Sequence, residues 1–332
     1  MTLPLWLSPI VSALVSALVL AWLLGGGRER MAIDLPNERS LHTRPIPRSG
    51  GLAVMAGTLC TLLLIDLPER WVLLPALAVL VAISLLDDFH NLSAALRLAI
   101  HGLVAATFAF LLLPERLGLP FAVLAVPVMV WMTNLFNFMD GSDGLAGGMA
   151  AIGFGTLAAA AAVAGDEPMA AFCVAIVAAS LVFLRVNWHP ARIFMGDGGS
   201  VPLGFAAAVL GLIGIARNIW PAWLPVLAFS MFIFDATVTL LRRALRGERI
   251  WQAHRTHYYQ RMVRMGLGHA HTAKLCYVAM AGSGLSALLV MALFPRFGGG
   301  LLAAWLVIYA VAARQIDLRW QRFAAQNPES AR

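Results

Sequence analysis

Apolar runs recur between short polar connectors from residue 3 to residue 313, and nothing else in the chain constrains its fold as strongly. Eleven can be drawn, at 3–27, 49–66, 71–86, 96–113, 120–138, 144–164, 169–186, 200–216, 220–241, 273–294 and 298–313. Most are long enough to cross a hydrocarbon core of roughly 30 Å, and several lie near the lower limit. Inside lipid every backbone N–H and C=O must find a partner within the protein, which leaves helices or a closed barrel. The alternating pattern of barrel strands is absent. Hydrophobic residues make up 60% of the 332 and charged ones 12%, more apolar surface than a water-soluble domain of this length can cover. The expectation is an all-α integral membrane protein: one domain over 1–332, a polytopic bundle of about 11 transmembrane helices.

The basic residues orient the bundle. Twenty of the 24 fall in connectors 28–48, 87–97, 185–192 and 242–274 or in the tail after 313. Only Arg70, Arg116, Arg217 and Arg296 fall in the alternate connectors. Cytoplasmic loops collect Lys and Arg, so the N-terminus is expected outside and the longest connector, 242–272, in the cytosol. The first run has no positive charge before it and arginines after it, so it reads as a span rather than a cleaved signal peptide. The net charge of +7 sits on one membrane face, which favours lipid headgroups or phosphorylated substrates over nucleic acid. Cys60, Cys173 and Cys276 lie within apolar runs and lack metal-ligand spacing, which reads as small buried hydrophobes.

Seventeen acidic residues can then be placed. Asp66, Glu69, Glu115, Asp166 and Glu167 fall in outward connectors, where a solvated role is expected. Glu29, Asp34, Glu38, Glu248, Asp317 and Glu329 lie among inner arginines. Asp87, Asp88, Asp140, Asp143 and Asp197 stand at the inner ends of spans, and Asp235 lies inside one, a few turns before Arg242 and Arg243, its expected ion-pair partners. Helix-end charges meeting water are the plain reading of any one of these. Five carboxylates brought to one level by three helix ends repel one another, and a shared divalent cation relieves that repulsion.

Three stretches carry the chemistry. In "SLLDDFHNLSAALRL" (84–98) an Asp pair ends one span and Arg97 opens the next; Asn91 stands where a prenyl-diphosphate motif would need a third Asp. In "NLFNFMDGSDGLAG" (134–147) Asn134 and Asn137 share a helical face before Asp140 and Asp143. In "ARIFMGDGGSVPLG" (191–204) Asp197 sits among glycines that let backbone approach a phosphate at a helix N-terminus. Carboxylate and amide oxygens are hard ligands suited to Mg²⁺. The connector "RRALRGERIWQAHRTHYYQRMVRMGLGHAH" holds His254, His257, His269 and His271. It reads as a headgroup-binding face or as a phosphate clamp over the acids, and it lacks the spacing of a zinc site.

Together "DDFHNLSAALRL", "NLFNFMDGSDGLAG" and "FMGDGGSVPLG", with "PIPRSGG" at 45–51, resemble the polyprenyl-phosphate N-acetylhexosamine-1-phosphate transferases over nearly the whole chain. "HRTHYYQRM" is most similar to the branch that initiates lipopolysaccharide O-antigen; the peptidoglycan and common-antigen branches are the alternatives. The resemblance implies ten or eleven helices in the bacterial inner membrane, with a cytosolic site that transfers a sugar 1-phosphate from a UDP-N-acetylated hexosamine to undecaprenyl phosphate and releases UMP. It implies Mg²⁺, with Mn²⁺ as a substitute, held by Asp197 and Asn137. Asp87, Asp88, Asp140 and Asp197 are the expected catalytic carboxylates. Phe194 would stack on uracil, Asp143 would accept its N3–H, and Asn137 would touch metal or diphosphate. Arg97 would stand near the acceptor phosphate, with Arg255 and His257 in the loop. The family's loop continues with further histidines where this chain has Tyr259 and Gln260. The phosphate monoester acceptor is largely dianionic at neutral pH and hardly needs a general base. The Asp pair therefore orients the acceptor or helps hold metal, and a covalent aspartyl intermediate stays open. A homodimer is compatible with all of this. The rival class is a cation- or proton-coupled transporter, which would place acids near mid-bilayer in repeated halves.

Overall fold

The computed structural model describes residues 4–25, 32–34, 41, 44–90, 92–249, 252 and 254–327. The connectors 28–48 and 242–272 therefore lie partly outside the described residues. Among the described residues fourteen α-helices follow one another: α1 Ser8–Gly25, α2 Gly51–Leu64, α3 Arg70–His90, α4 Ala94–Leu112, α5 Pro114–Leu117, α6 Leu119–Phe138 and α7 Leu145–Val163. Then come α8 Glu167–Asn187, α9 Asp197–Ala216, α10 Trp223–Ala228, α11 Ser230–Leu245, α12 Tyr258–Met262, α13 Gly268–Leu293 and α14 Gly298–Gln326. The described sheet is a minimal one, β1 Ile33–Asp34 antiparallel to β2 Ile46–Pro47. Among the described residues, nine helical stretches are long and apolar enough to cross a membrane.

All eleven apolar runs contain helix, but two depart from a single long span. The 220–241 run is broken into α10 and α11 at Phe229, and it continues past its apolar limit to Leu245. The 49–66 run yields only the 14-residue α2, about 21 Å long at ~1.5 Å per residue. A hydrogen-bond ladder shows that α2 still counts as a crossing. Ser8, Ser12 and Ser16 on α1 donate through Oγ to the carbonyls of Ala171, Ala175 and Ala179 on α8. The constant offset makes α1 and α8 parallel, so an odd number of passes must separate them. With α3, α4, α6 and α7 that number is odd only if α2 crosses too.

α9 is the axis of the bundle: Gly198 through Gly214 are all buried, and α3 and α6 pack along it. Its far end is fastened by charge. Arg217 pairs with Asp166 at 2.5 Å and with Glu69 at 3.5 Å, and Glu69 is only 6% exposed. The expectation that Glu69 and Asp166 are merely solvated is therefore wrong: they close a partly buried pair across three connectors. The stretch read as an inner connector after residue 242 is helical over α12 and enters α13 at Gly268, with a π turn at Val263–Leu267 between.

Candidate active site

At the opposite end from Arg217, α9 begins in a backbone weave. Phe194 N–H donates to the Pro47 carbonyl at 2.7 Å, Gly50 N–H to Phe194 at 2.9 Å, and Gly51 N–H to Met195 at 2.8 Å. The two glycine motifs meet directly: a Cβ on Gly51 would fall 2.3 Å from the Gly199 Cα. Gly196 has φ +70° and faces the Arg48 carbonyl so closely that a side chain there would collide with it. This close approach explains why both stretches are glycine-rich.

Asp197 opens α9 beside this weave. Its Oδ1 accepts from Asn137 Nδ2 at 2.7 Å, and its Oδ2 lies 3.4 Å from Arg97 Nη1. Arg97 also pairs with Asp87 at 2.8 Å, while Asp88 takes Arg48 at 3.0 Å. Asp87 further accepts from Leu92 N–H at 2.7 Å, which shapes the turn into α4. Asn137 donates also to Ser200 Oγ at 3.1 Å. Asp140 accepts from Gly196 N–H at 3.1 Å, tying the loop after α6 to the start of α9. Burial pushes the Asp140 carboxyl well above the ordinary carboxylate range, and the charge of Asp197 pushes it further. Three sequence stretches far apart in the chain thus converge through direct contacts.

Asp143 stands apart from that cluster. It is 6% exposed and accepts from His189 Nδ1 at 2.6 Å and Ala191 N–H at 3.1 Å. The ring of His189 stacks on His269, centroids 5.3 Å apart, and His269 in turn meets Ser142 Oγ at 2.8 Å. Asn187 joins the same two loops, accepting from Gly144 N–H and donating to the Ile193 carbonyl.

A cavity of about 750 Å³ opens beside Asp197. Its lining combines polar side chains, among them Arg97, Asn137, Asp197, His254 and His257, with apolar ones such as Ile83, Leu98, Pro127, Val130 and Trp131. Of the expected site residues, Arg97, Asn137, Asp197 and His257 share this space. Asp87 connects to it through Arg97, whereas Asp88 binds Arg48 and Asp140 binds Gly196, the residue before Asp197. Phe194 and Asp143 lie on the adjoining loops, and Arg255 is not part of the lining; its carbonyl accepts from Arg264 at 3.2 Å. The motifs do not single out Arg48, Ser200 or His189, although Arg48 and Ser200 sit inside two of them, and His269, one of the histidines of the basic connector, joins the Asp143 loop rather than the cavity. Asp235 does not pair with Arg242 or Arg243, which bind Asp317 and Glu248. It binds His257 instead, because the chain after residue 253 folds back over α11.

Among the described residues no three His, Cys, Asp or Glu side chains form a ready-made metal cage. Mg²⁺ seldom needs one, since it keeps waters and substrate phosphate oxygens in its shell. The donor set fits such an ion: Asp197 supplies a carboxylate, and the Asn137 amide, turned over, supplies an oxygen in the same place. Asp140, whose anion is disfavoured first by burial and then by the charge of Asp197, adds a carboxyl beside this donor set.

The apolar helical bundle thus carries a carboxylate cluster and a glycine-lined loop beside a largely apolar cavity. The family model described as Glycosyl transferase family 4 matches residues 70–215, the interval holding all three acidic stretches. The probable undecaprenyl-phosphate N-acetylglucosaminyl 1-phosphate transferase of Bacillus subtilis is 31% identical over 264 residues, covering 74% of each chain. The undecaprenyl-phosphate alpha-N-acetylglucosaminyl 1-phosphate transferase of Escherichia coli K12 is 29% identical over 287 residues, 80% of this chain and 77% of its own. The decaprenyl-phosphate N-acetylglucosaminephosphotransferase of Mycobacterium leprae is 27% identical over 333 residues, 85% of this chain and 82% of its own. The chain belongs to glycosyl transferase family 4, among the polyprenyl-phosphate N-acetylhexosamine-1-phosphate transferases.

Proposed function

We propose that the protein transfers an N-acetylated sugar 1-phosphate from its UDP-sugar to undecaprenyl phosphate at the cytosolic face of the bacterial inner membrane, releasing UMP. In this reading it starts O-antigen or a related envelope polysaccharide. One observation carries it: a single cavity joins Arg97, Asn137 and Asp197 to an apolar wall of Ile83, Leu98, Pro127, Val130 and Trp131. That combination suits a substrate with a phosphate head and a hydrocarbon tail. The names and coverage of the relatives support the same substrates.

In this reading Arg97, already shared by Asp87 and Asp197, draws the acceptor phosphate to the cavity mouth. Asp87 holds that guanidinium in place, and Asp88 does the same for Arg48. Asp197 and Asn137 would hold Mg²⁺, which when bound supplies neutralisation of the diphosphate and of the departing UMP. The glycine-bounded start of α9 offers backbone N–H groups to the donor's phosphates. The apolar walls keep water from competing with the lipid acceptor.

The test is direct. Detergent-purified protein is incubated with undecaprenyl phosphate, Mg²⁺ and a panel of UDP-N-acetylated hexosamines, and UMP is assayed. Lipid-dependent UMP release with one donor is expected. No release with any of them, or release that ignores the lipid, overturns the reading.

A further inference from the structure

One turn further into the bundle than Arg97 and Asn137, the cavity carries a second set of polar side chains that no step above uses. The ends of α3, α4 and α6 are drawn together where Arg97 binds Asp87 and Asp197, and Asn137 binds Asp197. Counted inwards from there, Ser84 precedes Asp87 by three residues on α3, and His101 follows Arg97 by four on α4. Asn134 precedes Asn137 by three on α6. Such spacings are close to one helical turn, so three helices each deliver a polar group about 5 Å deeper than the first tier. All three line the cavity.

This inner tier is buried and incompletely satisfied. Ser84 is 4% exposed and His101 6%. Asn134 donates to the Val130 carbonyl at 2.7 Å and lies beside the His101 ring. Two nitrogens on successive turns of α4, Arg97 Nε and His101 Nδ1, are buried with no hydrogen-bond partner among the described residues. An ionisable ring inside a span and an unpaired buried nitrogen are both costly, and in a cavity wall both point to a ligand. The same helix borders the lipid. Leu96 and Leu103 of α4 are exposed, and Leu98 is exposed as well as lining the cavity.

We propose that Ser84, His101 and Asn134 hold the phosphate of the prenyl-phosphate acceptor from its lipid side, with His101 as the main donor. The proposal rests on the acceptor reading above and adds residues to it: Arg97 takes the phosphate on one side and the inner tier on the other. Phosphate oxygens accept hydrogen bonds, and an anion drawn below the headgroups needs donors around it. Imidazole, amide and hydroxyl groups supply hydrogen without bringing a second buried charge that would itself need a partner. Val130 and Pro127, one and two turns beyond Asn134 on α6, continue the wall in apolar side chains where the first isoprene units belong.

The test compares two lipids that differ only in the phosphate. Affinities for undecaprenyl phosphate and for undecaprenol are measured in detergent without any UDP-sugar, for wild type, His101→Leu, His101→Gln and Ser84→Ala. Wild type is expected to prefer the phosphate. His101→Leu should lose about tenfold in affinity for undecaprenyl phosphate and nothing for undecaprenol. His101→Gln, which keeps an N–H, should recover most of that loss, and Ser84→Ala should lose a few-fold. In turnover, His101→Leu should raise KM for the acceptor and leave KM for the UDP-sugar unchanged. A phosphate preference in His101→Leu equal to wild type overturns the proposal. So do equal losses for both lipids, the mark of a structural role or of a buried water on the ring. If His101→Leu does not fold, an undiminished preference in Ser84→Ala overturns it. If wild type itself binds both lipids equally, the acceptor reading fails together with the proposal; a preference that survives every substitution sinks the inner tier alone.

Discussion

Asp197 carries the charge balance of the site, since Arg97 and Asn137 both turn towards it and Asp140 suffers from its presence. Asp197→Asn keeps the shape and removes the charge. UMP release should fall more than tenfold, at least ~1.4 kcal/mol of barrier, while thermal stability in detergent stays near wild type. A variant that retains a tenth or more of the activity would remove Asp197 as principal metal ligand. Asp143 presents a different case, because its carboxylate already holds His189 and Ala191 N–H. Asp143→Ala breaks hydrogen bonds to a charged group worth roughly 1.5–3 kcal/mol. It should lower the melting temperature and raise KM for the UDP-sugar by about one to two orders of magnitude, with Asp143→Asn milder. A lowered melting temperature at unchanged KM would assign Asp143 to the turn alone and remove it from base recognition. Local grammar made these acids legible: an Asp among glycines at the end of an apolar run is conspicuous in one dimension. Partners were not. Arg48 lies 40 positions from Asp88, and His257 lies 22 from Asp235; nothing in local spacing links either pair.

Helices fit together here through absent side chains as much as present ones. Gly51 and Gly199 meet backbone to backbone, and the weave of 47–51 with 194–196 depends on that approach. Gly51→Ala or Gly199→Ala should cost about 1–3 kcal/mol through overpacking and should shift Asp197 away from Asn137. A fall in both melting temperature and kcat is expected; normal activity in either variant would show that the weave can open without harm. At the far end of α9 the Arg217 tie serves packing only. Arg217→Met leaves Glu69 and Asp166 as partly buried anions without their cation, and removing one partner of a buried pair costs about 3–5 kcal/mol at full burial. The melting temperature should drop, while kcat of the folded fraction stays unchanged. Periodic hydrophobicity made the helices readable, but not the break at Phe229, where the sequence stays apolar across the turn. Nor did it separate lipid-facing from core-facing spans, since both are greasy. Burial of α9 against the exposure of α14 comes from packing alone.

For the molecule as a whole, topology is the open variable, and basic asymmetry predicts it. Cysteine probes at Gly247 and Glu167 should label from opposite sides of the membrane, Gly247 from the cytosol; labelling of both from the periplasm would invert the proposed site. The parallel pairing of α1 with α8 requires only that both run the same way, so it constrains the count of passes and leaves their sidedness to this experiment. α14 spans 29 residues, about 43 Å at ~1.5 Å each, longer than a hydrocarbon core of roughly 30 Å. Its second half carries Asp317, which binds Arg242 of α11 at 2.6 Å and Arg261 of α12 at 2.8 Å. Trp320 lies under the guanidinium groups of Arg261 and Arg264. This fastening gives the chain an order in time. α14 follows α11 and α12 in the chain, so a nascent chain inserted through α13 already holds Asp87, Asp140 and Asp197, and has α12 held to α11 through Asp235, but lacks the Asp317 tie to Arg242 and Arg261. The acids are made early, and the outer tie across α11 and α12 is made only once α14 has followed.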